Sequence, residues 1–188
     1  MKPKVTAAHT MNSLSELLFP LLRGMVTDPQ GLKIVEQPPV NRMALIAVTP
    51  AAADYRILCG TGGRTIRALS ALTSLLGHAL GTPARLELRE NFQYNQAPNV
   101  PFIQNDDFDK RACIDNIKQF CAVLFDREVP ITWNPNAPGV LEVWIDADLD
   151  DAKEVSTVFA LGESFYPYGY RQGTMIKIKT LKKSLKRK

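Results

Sequence analysis

The chain has 188 residues, 45 % of them hydrophobic, and carries 23 Lys and Arg against 19 Asp and Glu, a net charge of +4. That length suits one ordinary domain or two small ones, and the apolar content excludes a disordered chain. The longest apolar runs, "LLFPLL" and "MALIAV", fall far short of the roughly 20 residues a membrane helix needs, so no membrane partner is expected. No apolar segment stands behind the two lysines of "MKPKVTAAHT"; a signal peptide is not expected, and the expected compartment is the cytoplasm.

The charge is partitioned. Residues 1 to 80 carry +4, residues 81 to 176 carry −7, and the terminal "KIKTLKKSLKRK" carries +7. A polyanionic partner therefore suits the first part and the tail, not the middle. Cys59, Cys113 and Cys121 are too few and too scattered for a disulfide framework or a zinc site, and read as buried thiols in a reducing compartment. His9 and His78 have no partner at a useful spacing. No cofactor or metal is expected.

Residues 1–11 read as a leader. Ser13 and Glu16 form a capping-box pattern, and Leu14, Leu17, Leu18, Leu21, Leu22 and Met25 follow at helical spacing. Pro20 is expected to kink this helix or to separate its first turn. "LKIVEQ" (32–37) and "RMALIAVT" (42–49) read as a hairpin turning at "PPVN". "PAAADYRIL" (50–58) reads as a short helix, then a glycine turn, then a helix from about Arg64 to Leu80, then the strand "ARLELRE" (84–90). The aperiodic, proline-containing residues 91–107 read as a linker. The second half repeats the order: a helix over 109–125 with Ile114, Ile117, Phe120, Cys121 and Leu124 on one face, strands "VPITWN" and "VLEVWIDA", a helix in "DLDDAKEVSTVFAL", and a strand at 175–180. The halves align at an offset of 97 residues, Ile34 over Ile131 and Val48 over Ile145, which reads as a structural repeat. At that offset Thr157 and Ala160 stand where the first half has glycines.

The glycine turn is "ILCGTGGRTIRAL", with Gly60, Gly62 and Gly63. A Walker A spacing is absent, and Thr65 stands where a dinucleotide fingerprint needs its third glycine. A G-x-x-G turn between two helices remains. Without Cβ atoms a nucleic-acid backbone can approach closely, and the amides at the start of the next helix face phosphate. The stretch resembles the signature of the KH (K-homology) family, whose GXXG loop clamps about four nucleotides of a single strand. Gly60 and Gly63 match its glycine pair, and Arg64, Thr65 and Ile66 match the positions after it. The order αββααβ is similar to the type II fold, and residues 12–90 resemble small bacterial KH-domain RNA-binding proteins of the KhpA/YlqC type. Family members usually carry Lys or Arg between the glycines; here the pair is Thr61-Gly62.

The resemblance implies a type II αββααβ KH unit with the loop over 12–90; with the repeat at an offset of 97, the expected fold is α+β with tandem αββααβ KH-like units, the second (108–180) degenerate and without the loop, followed by a basic tail at 181–188. It implies single-stranded RNA as partner; with no nucleophile–base pair, paired carboxylates or metal cluster at a usable spacing, no enzymatic activity is expected. The amides of Thr61 to Arg64 would line the phosphate path, Arg64 and Arg67 would add charge, and Ile57, Leu58 and Ile66 would floor the groove. Asp146, Asp148, Asp150 and Asp151 would repel phosphate from the second half, which is left for packing or a protein partner through residues 108–180. "FYPYGYRQG" (165–173) reads as a packed turn, with base stacking as its other reading. The alternative function is a protein-interaction scaffold with nucleic-acid binding incidental, or directed to single-stranded DNA.

Overall fold

The computed structural model describes residues 13–90, 108–125, 127–134 and 139–181. The expected leader, the 91–107 linker and all but the first residue of the basic tail lie outside the described residues. The protein is α+β, with helices and two small mixed sheets.

Helix α1 (Leu14–Met25) opens with the expected capping box: Ser13 Oγ accepts from the Glu16 amide, and Glu16 accepts from the Ser13 amide at 3.0 Å. Its six apolar positions are all buried, and each such leucine contributes about 2 kcal/mol of hydrophobic stabilisation. Pro20 does not split off a first turn; it stands exposed within one continuous helix. Strands β1 (Lys33–Val40) and β2 (Met43–Thr49) pair antiparallel. The expected turn at "PPVN" is displaced. β1 runs on through both prolines, with a register irregularity between Gln37 and Val40, and the chain reverses at Asn41 and Arg42 with φ of 52° and 65°. Two successive positive φ values make the tight turn whose twist suits a hairpin, and β1 tolerates proline because it is an edge strand. A 3₁₀ turn (Ala52–Asp54) leads into α2 (Tyr55–Cys59); the loop, α3 (Arg64–Ala79) and β3 (Ala84–Leu88) follow, with β3 parallel to β2.

The second half comprises α4 (Lys110–Leu124), β4 (Ile131–Asn134), β5 (Val140–Ile145), α5 (Ala152–Arg171) and β6 (Met175–Thr180). Its sheet has the same strand order, β4 antiparallel and β6 parallel to the central β5. The hairpin registers coincide at the expected offset of 97: Ile34 faces Val48 as Ile131 faces Ile145, and Gln37 faces Leu45 as Asn134 faces Glu142. The offset then changes. Ala44 pairs with Ala84 but Leu141 with Ile176, so the last strands correspond at 92. Five residues are missing from the second half between its central strand and its long helix, and with them goes the short helix: the order is αββααβ in the first half and αββαβ in the second.

Matched ends fix this alignment. The Thr82 amide donates to the Gly77 carbonyl and the Thr174 amide to that of Gly169, both at 2.9 Å. Gly81 and Gly173 close the two helices with φ of 79° and 70°, the usual glycine stop. A Cβ on Gly77 would meet the Thr82 carbonyl at 2.7 Å, and one on Gly169 the Ile176 side chain and the Thr174 carbonyl, the latter at 2.6 Å, so in both halves a glycine lets the helix end close on the returning chain. Counted back from these ends, Ala152 and Val155, not Thr157 and Ala160, occupy the positions of Gly60 and Gly63.

The halves join through their helices. α3 lies against α5, α1 against α5 and α4 against α3. One continuous apolar cluster runs from Leu17, Leu21 and Leu72 of the first half to Phe120, Leu161 and Phe165 of the second. Cys113 and Cys121 are buried on the inner face of α4, and burial pushes both thiols from the usual 9.0 up to about 12. No helix among the described residues is long and apolar enough to cross a membrane.

Candidate nucleic-acid interface

The loop between α2 and α3 is exposed at Thr61 and Gly62 and half-buried at Gly60 and Gly63. Gly60 has φ 73° and ψ 168°, a region open essentially to glycine alone. A Cβ there would also run into the Thr65 side chain and meet its amide nitrogen at 2.8 Å. Gly62 (φ 59°, ψ 24°) and Gly63 (φ 74°, ψ 20°) are left-handed, and a Cβ on Gly62 would meet nothing within 4 Å. The requirement for glycine is thus backbone conformation at all three positions, with crowding added at Gly60.

Not all the amides expected to line a phosphate path face outward. The Gly60 amide donates to the Arg56 carbonyl at 2.9 Å, the Gly63 amide to the Gly60 carbonyl at 3.1 Å, and the Arg64 amide to the Thr61 carbonyl. The amides of Thr61 and Gly62 have no acceptor among the described residues. Two exposed N–H groups therefore stand at the tip of the loop, at the N-terminal end of the 16-residue helix α3, where the helix dipole favours an anion.

The remaining expected residues divide. Arg64 and Arg67 are exposed on the first turn of α3, and the Arg67 guanidinium reaches back toward Gly63, where a Cβ would meet it at 3.1 Å. Ile57 and Ile66 are half-buried beside the loop. Leu58 is fully buried; it anchors α2 in the core and presents no surface to a ligand. Thr65, expected only as a signature match, is buried under the loop against Gly60.

Two neighbours were not legible in advance. Asp54 is fully buried and accepts from the Thr27 amide at 2.8 Å, the Thr27 hydroxyl and the Asp28 amide at 2.9 Å. This carboxylate ties the turn after α1 to the segment that starts α2, six residues before the first glycine. The second neighbour is α5. It was expected to stop near Leu161 but runs on to Arg171, so "FYPYGYR" is helix and not a turn. Glu163 of α5 approaches Arg64 to 3.6 Å. On one side of this pair lies an open groove of about 840 Å³, lined by Ala68, Ala71 and Leu75 of α3 and by Val155, Phe159 and Ala160 of α5. On the other lies a cavity of about 510 Å³ lined by Thr61, Thr65, Tyr166, Pro167 and Tyr170. Arg64 and Glu163 line both.

The aspartates of "DADLDD" hold the entry to α5. Asp151 caps it by accepting from the Lys153 amide at 2.8 Å, and Asp148 accepts from the Asp150 amide at 3.0 Å. Among the described residues no group of three His, Cys, Asp or Glu is placed to hold a metal ion. No family model, curated protein or solved structure matches the chain.

Proposed function

We propose that the protein binds single-stranded RNA without catalysing a reaction, and that the glycine loop at Gly60–Gly63 is the binding site. In this reading the chain is a cytoplasmic tandem of KH-like units, type II in the first half and degenerate in the second, acting in RNA chaperoning, ribosome assembly or post-transcriptional control. The observation that carries it is the loop itself. Three positive-φ glycines leave the amides of Thr61 and Gly62 without an acceptor among the described residues at the head of α3, whose first turn carries exposed Arg64 and Arg67. A phosphodiester is the ligand such a surface suits: backbone N–H groups without Cβ atoms, a helix N-terminus and two cations.

The test is the double change Thr61→Asp with Gly62→Asp. The fold should survive it: Thr61 is exposed, a Cβ on Gly62 meets open space, and aspartate enters the left-handed region more readily than most residues, at a strain of about 1–2 kcal/mol. Affinity for a labelled single-stranded RNA should fall at least tenfold while the fold is retained, with only the few-degree drop in unfolding temperature that this strain implies; unaltered affinity overturns the reading. A second reading, a protein-interaction scaffold, draws on the apolar groove between α3 and α5, where Phe159 is 69 % exposed. Under that reading Phe159→Ser abolishes partner binding and leaves RNA affinity untouched.

A further inference from the structure

We propose that the second half completes the binding site: Tyr166 and Tyr170 of α5 form a stacking platform for the unpaired bases of a strand whose backbone lies on the glycine loop. The inference rests on the reading of the loop as an RNA site and adds the surface that holds the bases.

The aromatic string of α5 is divided by the helix. Phe165 and Tyr168 turn inward: Phe165 is fully buried, its ring 5.7 Å from that of Phe120 and 5.9 Å from that of Tyr168, each edge to face. Tyr166 and Tyr170, four residues apart and so on one face, turn outward and are 50 % and 62 % exposed. Neither exposed ring is part of the core, which Phe165 enters instead. Both line the 510 Å³ cavity together with Thr61, Arg64 and Thr65. Phosphate donors and two aromatic side chains thus line one cavity, which Glu163 also lines; donors with aromatic rings are the combination that binds single strands: cations and amides track the backbone, and aromatic faces take successive bases. The cavity lies within the range of about 300–1,000 Å³ typical of small-ligand sites. Pro167 between the two tyrosines lacks an N–H and stiffens this turn of α5.

α5 runs on through two glycines and a proline, and so brings Tyr170 to the cavity that Thr61 also lines. The loop sits in one half and the platform in the other, so neither half alone carries a whole site.

The experiment is fluorescence anisotropy with a labelled single-stranded RNA decamer and with the same decamer made abasic at its central positions. The full chain is compared with Tyr166→Ala/Tyr170→Ala, Tyr166→Phe/Tyr170→Phe and Thr61→Asp/Gly62→Asp, each first checked for helix content by circular dichroism. The alanine pair should lose about tenfold or more on the intact decamer, given the usual contribution of one stacked base. The phenylalanine pair should bind like the parent, and the alanine pair should match the parent on the abasic decamer. Equal binding of the intact decamer by the alanine pair and the parent overturns the platform, and so does an equal loss on both decamers, which would mean a backbone contact. Loss confined to the aspartate variant overturns the platform and leaves the loop reading standing. Full affinity in the aspartate variant overturns the loop reading itself.

Discussion

Arg64 at the head of α3 and Glu163 in the middle of α5 meet at 3.6 Å across the seam between the two halves, with 73 % and 39 % of their side chains exposed. An ion pair so wet contributes only about 0.2–1 kcal/mol to folding. Its consequence is electrostatic: a carboxylate stands beside the guanidinium that the loop would use against phosphate. Glu163→Gln should therefore leave the unfolding temperature unchanged and tighten single-stranded RNA binding roughly fivefold at low salt, the equivalent of about 1 kcal/mol. The gain should shrink as salt is raised, because the charges are exposed. Anisotropy titrations at two salt concentrations check both statements, and an unchanged low-salt affinity would place Arg64 outside the phosphate path.

Gly24 fixes how closely α1 approaches α5. A Cβ at this position would run into the Tyr168 ring, and Gln172 Nε2 donates to the Gly24 carbonyl at 2.7 Å. Alanine is the better helix former by about 1 kcal/mol. In an isolated helix Gly24→Ala would stabilise; here overpacking should reverse the sign and cost about 1–3 kcal/mol. Thermal unfolding followed by circular dichroism reads the sign directly.

Asp54 is fully buried and holds three donors from half-buried Thr27 and exposed Asp28. Asp54→Ala leaves the Thr27 and Asp28 amides without an acceptor, each orphan costing about 1–3 kcal/mol. The expected loss is about 3 kcal/mol in urea unfolding. Asp54→Asn should lose less, since one carbonyl acceptor remains. The segment entering α2 should also lose amide-exchange protection in the alanine variant ahead of β2.

Burial sets the alkaline limit of the fold. Cys113 and Cys121 are pushed from 9.0 to about 12, and burial likewise raises the Tyr168 hydroxyl from 10.0 to about 12. Folded-state values above unfolded ones mean that the native state keeps protons the unfolded chain gives up. The stabilisation is complete below about pH 9 and is lost as pH rises toward 12, at about 1.4 kcal/mol per pH unit for each group within its window. Urea midpoints at pH 8 and 10.5 should therefore diverge, and Cys113→Ala/Cys121→Ala should flatten the difference. At neutral pH iodoacetamide should modify half-buried Cys59 before either α4 thiol.

Much of the fold is legible because its signals are short-range. The Ser13–Glu16 capping box, the period of α1 and α4, and the alternation of "VLEVWI" each lie within one element and appear where expected. The hairpin repeat at 97 residues is legible for the same reason: register follows the apolar phase of each strand. The sequence carries a second trace of the repeat. "GHALGT" and "GYRQGT", 92 residues apart, carry the paired helix stops and locate the five-residue deletion.

The misplacements share a cause. The "PPVN" turn and the early end of α5 were read from Pro and Gly as punctuation. An internal proline costs a helix about 3 kcal/mol and each glycine about 1. In α5 the burial of Phe165, Leu161 and half-buried Tyr168 against α4 and α1 offsets that cost, and no local window contains those partners. Leu58 was likewise assigned to a groove floor because an apolar residue beside a loop reads the same whether it faces a ligand or the core.

By itself, then, the sequence determined the α+β class, the doubled hairpin and a loop that only glycine can form, because backbone conformation and side-chain period act over a few residues. The tertiary structure alone decided that the Thr61 and Gly62 amides stay open, that Leu58 lies inside, and that Glu163, Tyr166 and Tyr170 stand about a hundred residues along the chain yet beside the loop. Those are outcomes of packing α3 on α5, a contact whose energy belongs to surfaces and not to any stretch of chain.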